Sequence, residues 1–244
     1  MRHIASVSFG KDSLAMVLML IEKKMPLDEV VFYDTGMEFQ AIYNVRDKLL
    51  PILDANGIQY TELKPKKPFL YTMLERPCES KQKGKHLGYG WCGGMSRWGT
   101  TSKTIALDRY CESREATVYI GIASDEPKRL KKEIKPYKVH PLVEWGIMES
   151  DCLKYCRDNG FSWDENGVDL YDVLDRVSCW CCCNKNRKEL KNIYLYLPDY
   201  WEKLKYLQSR LDRPMKRFCN KKHGEYGNLF DMEKVFEYEK ECGK

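Results

Sequence analysis

The sequence predicts an α/β fold in which a doubly wound, mainly parallel sheet is followed by a mainly helical C-terminal region. Apolar runs of strand length alternate with helical patterns between residues 4 and 63, which is the order of a sheet built from β-α-β units. The run over 29–35 is nearly continuous in apolar side chains, as in a parallel strand buried on both faces. A length of 244 residues is sufficient for a full α/β core and a small second domain.

The first 63 residues supply three strands and two helices. In order, these are a strand from Ile4, a helix that Pro26 ends, a strand over 29–35, a helix over 38–55 and a strand over 58–63. Pro51 lies inside the second helical pattern, where its missing N–H should kink the helix or divide it in two. Asn56 and Gly57 are typical of the end of that helix.

Residues 64–98 lack a clear period and are rich in Lys, Gly and Pro with scattered aromatic residues, which is typical of a long binding loop or lid. Beyond them we predict a helix over 101–113, strands over 117–122 and 138–143, and helices over 149–159, 186–197 and 200–211. The predicted domains are therefore an α/β domain over 1–145 and a helical region over 146–244.

Composition limits the class of protein. Hydrophobic residues make up 43% and aromatic residues 12% of the chain, as in globular proteins, and no apolar run approaches the roughly 18 residues of a membrane span. Without a signal-peptide pattern, the chain is expected to be cytoplasmic and to have no membrane contact. The net charge of +5 is concentrated in basic segments at 64–67, 81–85, 128–138, 185–191 and 216–222. An anionic partner, either a nucleotide or a nucleic acid, is therefore a hypothesis beside plain solvation.

Residues 8–13 join the first strand to the first helix through the sequence S-F-G-K-D-S. A helix N-terminus in this position presents backbone N–H groups and the positive end of the helix dipole to an anion. Gly10 lets the backbone approach an anion closely, and Lys11 adds a positive charge. The spacing differs from the G-x-x-x-x-G-K-[ST] pattern of P-loop NTPases. An ordinary turn capped by Asp12 or Ser13 is the alternative.

Four segments together resemble one family. They are S-F-G-K-D-S at 8–13, F-Y-D-T-G at 32–36, G-x-x-x-x-E-x-x-R at 121–129 and K-V-H-P-L-V-E-W at 138–145. In this order they resemble the PP-loop superfamily and, within it, the phosphoadenosine phosphosulfate (PAPS) reductase family, over about 1–183. Ala123 stands where the family usually has an arginine that contacts phosphate or sulfate.

The resemblance implies a PP-loop, Rossmann-like fold with a nucleotide site. The positions that it assigns to the nucleotide are Ser8, Phe9, Gly10, Lys11, Asp12, Ser13, Asp34, Thr35, Gly36, Gly121, Glu126 and Arg129. Lys11 and Asp12 resemble the pair found in members that cleave ATP between the α- and β-phosphates. We therefore assign both residues catalytic roles, with Mg²⁺ accompanying the nucleotide. Adenosine phosphosulfate (APS) or PAPS is the alternative ligand.

A cysteine cluster lies at 179–183, where the sequence C-W-C-C-C places four thiols in five residues. The chain has 11 cysteines, and in a reducing compartment a cluster indicates metal binding or catalysis rather than disulfides. Four thiols this close cannot easily all bind one ion, so a remote ligand is expected. The predicted ligands are Cys92, Cys179, Cys182 and Cys183, with Cys181 and Cys219 as alternates. The resemblance implies an iron–sulfur cluster, such as [4Fe–4S], while Zn²⁺ and redox-active or structural thiols stay open.

The chain ends with a further motif. Cys242 lies in an E-C-G sequence that resembles the E-C-G-[LI]-H tail whose cysteine is the nucleophile of PAPS and APS reductases. This makes Cys242 a candidate catalytic residue.

The leading functional hypothesis is an ATP-using enzyme that releases pyrophosphate and supports sulfur transfer or nucleic-acid modification. Its partners would be the nucleotide and either a nucleic acid or a sulfur-donor protein. One alternative is an APS or PAPS reductase that uses Cys242 and thioredoxin. The other is a non-catalytic nucleotide- or nucleic-acid-binding module with structural zinc. The oligomeric state is left open.

Overall fold

A computed structural model describes residues 2–81, 84–131, 135–216, 218–220 and 224–242, apart from the side chains of residues 130, 218–220 and 224–226. Its strands are β1 (His3–Val7), β2 (Glu29–Tyr33), β3 (Gln59–Leu63), β4 (Pro77–Ser80), β5 (Gly84–Leu87), β6 (Thr117–Ile120), β7 (Lys138–Val139), β8 (Asp164–Glu165), β9 (Val168–Asp169), β10 (Phe218–Asn220) and β11 (Gly224–Tyr226). Its helices are α1 (Lys11–Glu22), α2 (Gln40–Ala55), α3 (Phe69–Leu74), α4 (Trp98–Glu112), α5 (Pro127–Leu130), α6 (Pro141–Glu144), α7 (Glu149–Asp158), α8 (Leu170–Val173), α9 (Arg187–Tyr196), α10 (Pro198–Ser209) and α11 (Leu229–Glu241).

The chain forms two compact units that are each discontinuous in sequence. Unit 1 consists of Met1–Pro65 and Ser102–Asp164, and unit 2 consists of Lys66–Thr101 and Glu165–Lys244. The division predicted after residue 145 follows chain order instead, and it stays a prediction about domains.

Unit 1 contains a five-stranded parallel sheet in the order β3-β2-β1-β6-β7. This sheet and its flanking helices confirm the predicted α/β class and its doubly wound, Rossmann-like arrangement. The chain leaves β1 in one direction through β2 and β3, and then returns to the other side of β1 with β6. The order therefore reverses between β1 and β6. In open α/β sheets, ligands bind outside the carboxyl ends of the strands at this switch point.

Burial explains why these segments form the sheet of unit 1. All five residues of β2 are buried, in agreement with its continuous apolar pattern. Ile4 on β1, Val31 on β2 and Val118 on β6 form a core cluster with Cys111 and Ala116. In a parallel sheet, the helix of each β-α-β unit crosses a face of the sheet and covers its apolar side chains.

Unit 2 has a helical core made by α9, α10 and α11. Trp201 and Phe236 are buried, with ring centroids 5.8 Å apart, and Tyr194 packs against both rings. Glu239 on α11 pairs with Arg187 and Lys191 on α9, which adds ionic contacts beside the aromatic cluster. The predicted mainly helical character of the C-terminal region agrees with these elements, although the sequence patterns did not identify α11.

Three local predictions differ from the structure. The strand expected over 138–143 is only the two-residue β7, because Pro141 begins α6 at a position where a missing N–H is tolerated. Pro51 lies within α2, which is one continuous helix and is not divided. The expected loop over 64–98 contains α3 and the β4–β5 hairpin.

Among the described residues, no helix combines the length and apolar character needed to cross a membrane.

Candidate functional site

The turn between β1 and α1 owes its tight shape to Phe9 rather than to Gly10. Phe9 has φ = +55°, in the left-handed region that few non-glycine residues adopt, and its side chain is fully buried. Its ring packs edge-on against Phe32, with centroids 4.9 Å apart. The indole N–H of Trp163 donates to the Phe9 carbonyl at 2.7 Å. Core packing and this hydrogen bond hold the turn in a conformation that its local sequence disfavours.

Two serines tie the turn to the start of α1. The Ser8 N–H donates to Ser13 Oγ at 3.2 Å, and Ser13 Oγ lies 3.1 Å from the carbonyl oxygen of Gly10. Gly10 is the N-cap of α1 and supplies no side-chain capping bond. A helix N-terminus that its own N-cap side chain does not satisfy is suited to an anion.

Lys11 is the positively charged residue of the turn, and its side chain pairs with two carboxylates. Its Nζ donates to Asp12 Oδ1 and to Glu149 Oε2, each at 2.7 Å. The side chains of Lys11 and Asp12 are 10% and 21% exposed, so both are largely withdrawn from water, whereas the Glu149 side chain is 41% exposed. Glu149 is the first residue of α7 and was not among the residues selected from the sequence. Nothing in the local sequence indicates its contact with a lysine 138 positions away.

The charges of this cluster shift the pKa values of its members. Burial lowers the pKa of Lys11, but hydrogen bonds and charge attraction from Asp12 and Glu149 outweigh burial and leave the pKa raised. Burial raises the pKa of Asp12, with repulsion from Glu149 and Glu126 in the same direction, and Lys11 offsets only part of this rise. Lys11 therefore stays charged at neutral pH.

The segment after β6 lies against the same turn. A Cβ atom on Gly121 would fall 2.7 Å from Ser13 Cα and 2.9 Å from Ser13 N, so only glycine allows this approach. Glu126 Oε2 accepts a hydrogen bond from Arg129 at 2.6 Å, and Asp125 Oδ1 accepts one from the Glu149 N–H at 3.0 Å. The β6–α5 segment, the first turn of α1 and the start of α7 therefore meet at one place.

The turn after β2 uses its polar side chains internally. Asp34 Oδ1 accepts hydrogen bonds from the Gly36 N–H at 2.8 Å and from the Tyr43 hydroxyl at 2.7 Å. Thr35 Oγ1 accepts from the Met37 N–H at 3.2 Å, and Gly36 has φ = +73°. Burial and the Asp34 carboxylate raise the pKa of Tyr43. These contacts fix the turn, and a nucleotide role for its three residues stays a prediction.

The carboxyl ends of β1, β2 and β6 share one edge of the sheet because the three strands are parallel neighbours. The turns that follow them carry the residues selected from the sequence for nucleotide binding. Together they offer a helix N-terminus, a buried lysine and a partly exposed arginine at the switch point. Helix N-termini and cationic side chains are groups that proteins use to bind phosphate.

The cysteines of unit 2 are gathered, but not as a finished metal site. The Cys183 N–H donates to the Cys92 carbonyl at 3.3 Å, and the Gly99 N–H lies 3.3 Å from Cys92 Sγ. A Cβ on Gly93 would fall 2.6 Å from Cys183 Sγ, so this glycine admits the thiol. Burial raises the pKa of both Cys92 and Cys183, and repulsion from Cys182 adds to each rise.

Among the described residues, no group of three or more His, Cys, Asp and Glu side chains is gathered as a metal site would require. The soft thiol donors are of the kind that zinc and iron–sulfur clusters use. Cys181 is buried, and the side chain of Cys219 lies outside the described part of the chain. Burial lowers the pKa of Lys185, which is 2% exposed, and the neighbouring Glu189 and cysteine side chains offset only part of this.

The remaining candidates are Cys242 and the basic segments. Cys242 is exposed at the end of α11, and residues 243–244 lie outside the described part. Lys135 and Lys138, from the basic segment at 128–138, both pair with Asp108. The positive charges of Lys135 and Lys138 in the basic surface expected for an anionic partner are therefore partly balanced by the Asp108 carboxylate.

Comparison with known proteins agrees with this architecture. The sequence matches the phosphoadenosine phosphosulfate reductase domain family over residues 2–182. The chain therefore belongs to that family, which is part of the PP-loop superfamily and binds PAPS, APS or ATP-like nucleotides. No curated protein matches the sequence significantly. The match confirms the predicted family and makes the protein a member of a nucleotide-binding enzyme family.

Proposed function

We propose that the chain binds ATP at residues 8–13 and cleaves it between the α- and β-phosphates, releasing pyrophosphate. The observation that carries this proposal is the Lys11–Asp12 pair, which is largely buried in the first turn of α1 at the switch point of the sheet. Phosphate transfer of this kind depends on positioning and on stabilising negative charge. A lysine that remains charged beside a helix N-terminus supplies both.

The proposed reaction moves an adenylyl group to an acceptor. A nucleophile on the acceptor attacks the α-phosphorus, the bond from the α-phosphorus to the bridging oxygen breaks, and pyrophosphate leaves with that oxygen. Lys11 would stabilise the charge that develops on the phosphate oxygens. Arg129, which is bound to Glu126, would hold a phosphate at the edge of the site. Mg²⁺ would arrive with the nucleotide and neutralise phosphate charge.

The acceptor reaction is proposed to be sulfur transfer or nucleic-acid modification. Sulfur chemistry is supported by the gathering of Cys92, Cys182 and Cys183 in unit 2. A nucleic-acid acceptor rests on the basic segments of the sequence alone. The residues in nucleotide-binding roles are proposed to be those assigned by the family resemblance, with Gly121 acting through its approach to Ser13.

Product analysis tests the proposed reaction. With ATP and Mg²⁺ alone, water can take the place of the acceptor, so we expect pyrophosphate and AMP. We expect both products to disappear in Lys11→Ala and Asp12→Ala because these variants lose the phosphate-positioning pair. Lys154→Ala is a matched control, since it removes an exposed lysine paired with Asp158. Full pyrophosphate release in the Lys11 and Asp12 variants would contradict the proposal. Sulfite release from APS or PAPS that requires Cys242 would instead support a reductase.

We also propose that Cys92, Cys179, Cys182 and Cys183 form a thiol site for a [4Fe–4S] cluster or for zinc. No group of three or more possible ligands is gathered among the described residues, so no step of the ATP reaction is assigned to a metal at this site. Metal analysis and visible absorbance of anaerobically purified protein test the site. We expect stoichiometric iron with visible absorbance, or stoichiometric zinc without it, and a loss of either in Cys183→Ser. Cys111→Ser, at a buried thiol in unit 1, is the control. Equal metal content in Cys183→Ser and wild type would contradict this site.

A further inference from the structure

Glu149 makes a contact that the proposed reaction does not use. Its Oε2 accepts a hydrogen bond from Lys11 Nζ at 2.7 Å, and the same Nζ donates to Asp12 Oδ1 at 2.7 Å. Asp12 adjoins Lys11 in the chain, whereas Glu149 is brought to it from another helix by the fold. The cation proposed to hold phosphate is therefore already held by a carboxylate.

The position of Glu149 is fixed by its helix. Its own N–H donates to Asp125 Oδ1 at 3.0 Å, and Asp151 Oδ2 accepts from the preceding N–H, of Met148, at 3.0 Å. These bonds satisfy the start of α7 and orient its first turn. The backbone of Glu149 is therefore fixed at the start of α7.

The rest of α7 packs along α1. Cys152 and Cys156 are fully buried, and Cys156 Sγ lies 3.4 Å from the Lys11 carbonyl. Tyr155 donates its hydroxyl to Glu22, at the other end of α1, at 2.5 Å. Contacts at both ends of α1 thus hold α7 in one register. The packing of α7 along α1 therefore brings the Glu149 carboxylate to the Lys11 ammonium group.

A phosphate oxygen and a carboxylate oxygen compete for the same donor. An ammonium group has three N–H donors with no acceptor, and a partly buried ammonium group has limited room for further anions. A phosphate that engages Lys11 must replace Glu149 or share Lys11 with it, against the repulsion between the two anions. The Glu149 side chain is 41% exposed, so it can swing into solvent while Lys11 remains in place.

We infer that Glu149 is a positioning residue that occupies Lys11 in the free protein and is displaced by the phosphates of the bound nucleotide. Its charge sets how tightly the site holds phosphate, and its bond keeps the Lys11 side chain directed at the turn before the nucleotide arrives. This inference rests on the proposed nucleotide site, and it adds a residue to that site which lies beyond the four segments of family resemblance.

Phosphate binding without a divalent cation tests the competition directly. Inorganic pyrophosphate and ATP are titrated in EDTA against wild type, Glu149→Gln, Lys11→Ala and the double variant that carries both substitutions. If Glu149 engages Lys11 in about nine of ten free molecules, removing its charge strengthens binding by about tenfold. We expect this gain in Glu149→Gln, and we expect it to vanish when Lys11→Ala is added, because the two substitutions act on one contact.

A matched control separates a local contact from a general change of charge. Glu144→Gln, on α6, removes the same charge from an exposed position of unit 1, and it should leave both affinities unchanged. A purely structural role for Glu149 would weaken binding in Glu149→Gln. Unchanged or weaker binding in Glu149→Gln therefore overturns the inference.

The outcomes distinguish the inference from the proposed function. If wild-type binding requires Lys11 but is the same in Glu149→Gln, only the competition is wrong. If Glu149→Gln binds pyrophosphate more tightly but ATP yields no pyrophosphate, the competition stands and the proposed reaction fails. If neither pyrophosphate nor ATP binds in any variant, both are wrong.

Discussion

At the scale of single residues, the turn at residues 8–13 depends on a strained residue that the motif does not explain. The motif draws attention to Gly10, yet the left-handed backbone is at Phe9, which is buried and bonded to Trp163 through its carbonyl. The turn is therefore shaped by the core of unit 1 before any ligand binds. Such preorganisation reduces the entropy that a ligand must overcome on binding.

Gly121 gives a prediction at the same scale. In Gly121→Ala the new Cβ would approach backbone atoms of Ser13 to within 2.7 Å, so either β6 or the first turn of α1 must shift. We expect a loss of about 1–3 kcal/mol in the free energy of unfolding, as for overpacked sites, together with weaker ATP binding. Urea denaturation and nucleotide titration measure the two effects.

Gly227 supplies the control for this substitution. A Cβ there would approach only the flexible end of the Asp231 side chain, at 2.8 Å, so Gly227→Ala can be accommodated by rotation of that side chain. We expect a smaller loss of stability and no loss of ATP binding. Equal stability and equal binding in Gly121→Ala and wild type would show that the approach of β6 to α1 is not needed.

At the scale of elements, the sequence predicts helices and strands best where one apolar periodicity extends over the whole segment. Helices α1 and α2 and strands β1, β2, β3 and β6 follow from apolar patterns that the sheet then buries. The strand expected over 138–143 fails because Pro141 fits the first turn of a helix as well as the end of a strand. Pro51 is tolerated inside α2, where the helix is stabilised by the burial of Val45, Leu49 and Leu53.

Contacts between distant elements are the part of the site that the sequence does not reveal. Residues 8–13 and 121–129 could be selected because their motifs are local in the chain. The meeting of Lys11 with Glu149, and of Phe9 with Trp163, depends on how α7 and the following segment pack within unit 1. No spacing in the sequence encodes that packing, so Glu149 could be found only from the fold.

At the scale of the whole molecule, the chain carries two candidate sites in two units. Unit 1 contains the sheet, the turn at residues 8–13 and Glu149, whereas unit 2 contains the gathered cysteines and the aromatic core of α9, α10 and α11. The family match spans residues 2–182 and so includes parts of both units. A nucleotide site and a thiol cluster in one chain are consistent with a reaction that couples nucleotide activation to sulfur.

The central claim is that the turn at residues 8–13 binds ATP through Lys11. Titration of ATP with Mg²⁺ into wild type, Lys11→Ala and the control Lys154→Ala is its most direct test. A hydrogen bond to a charged group is worth about 1.5–3 kcal/mol, so we predict that Lys11→Ala weakens ATP binding by at least about tenfold. Lys154→Ala should bind ATP as wild type does. Equal ATP affinity in Lys11→Ala and wild type would contradict the account.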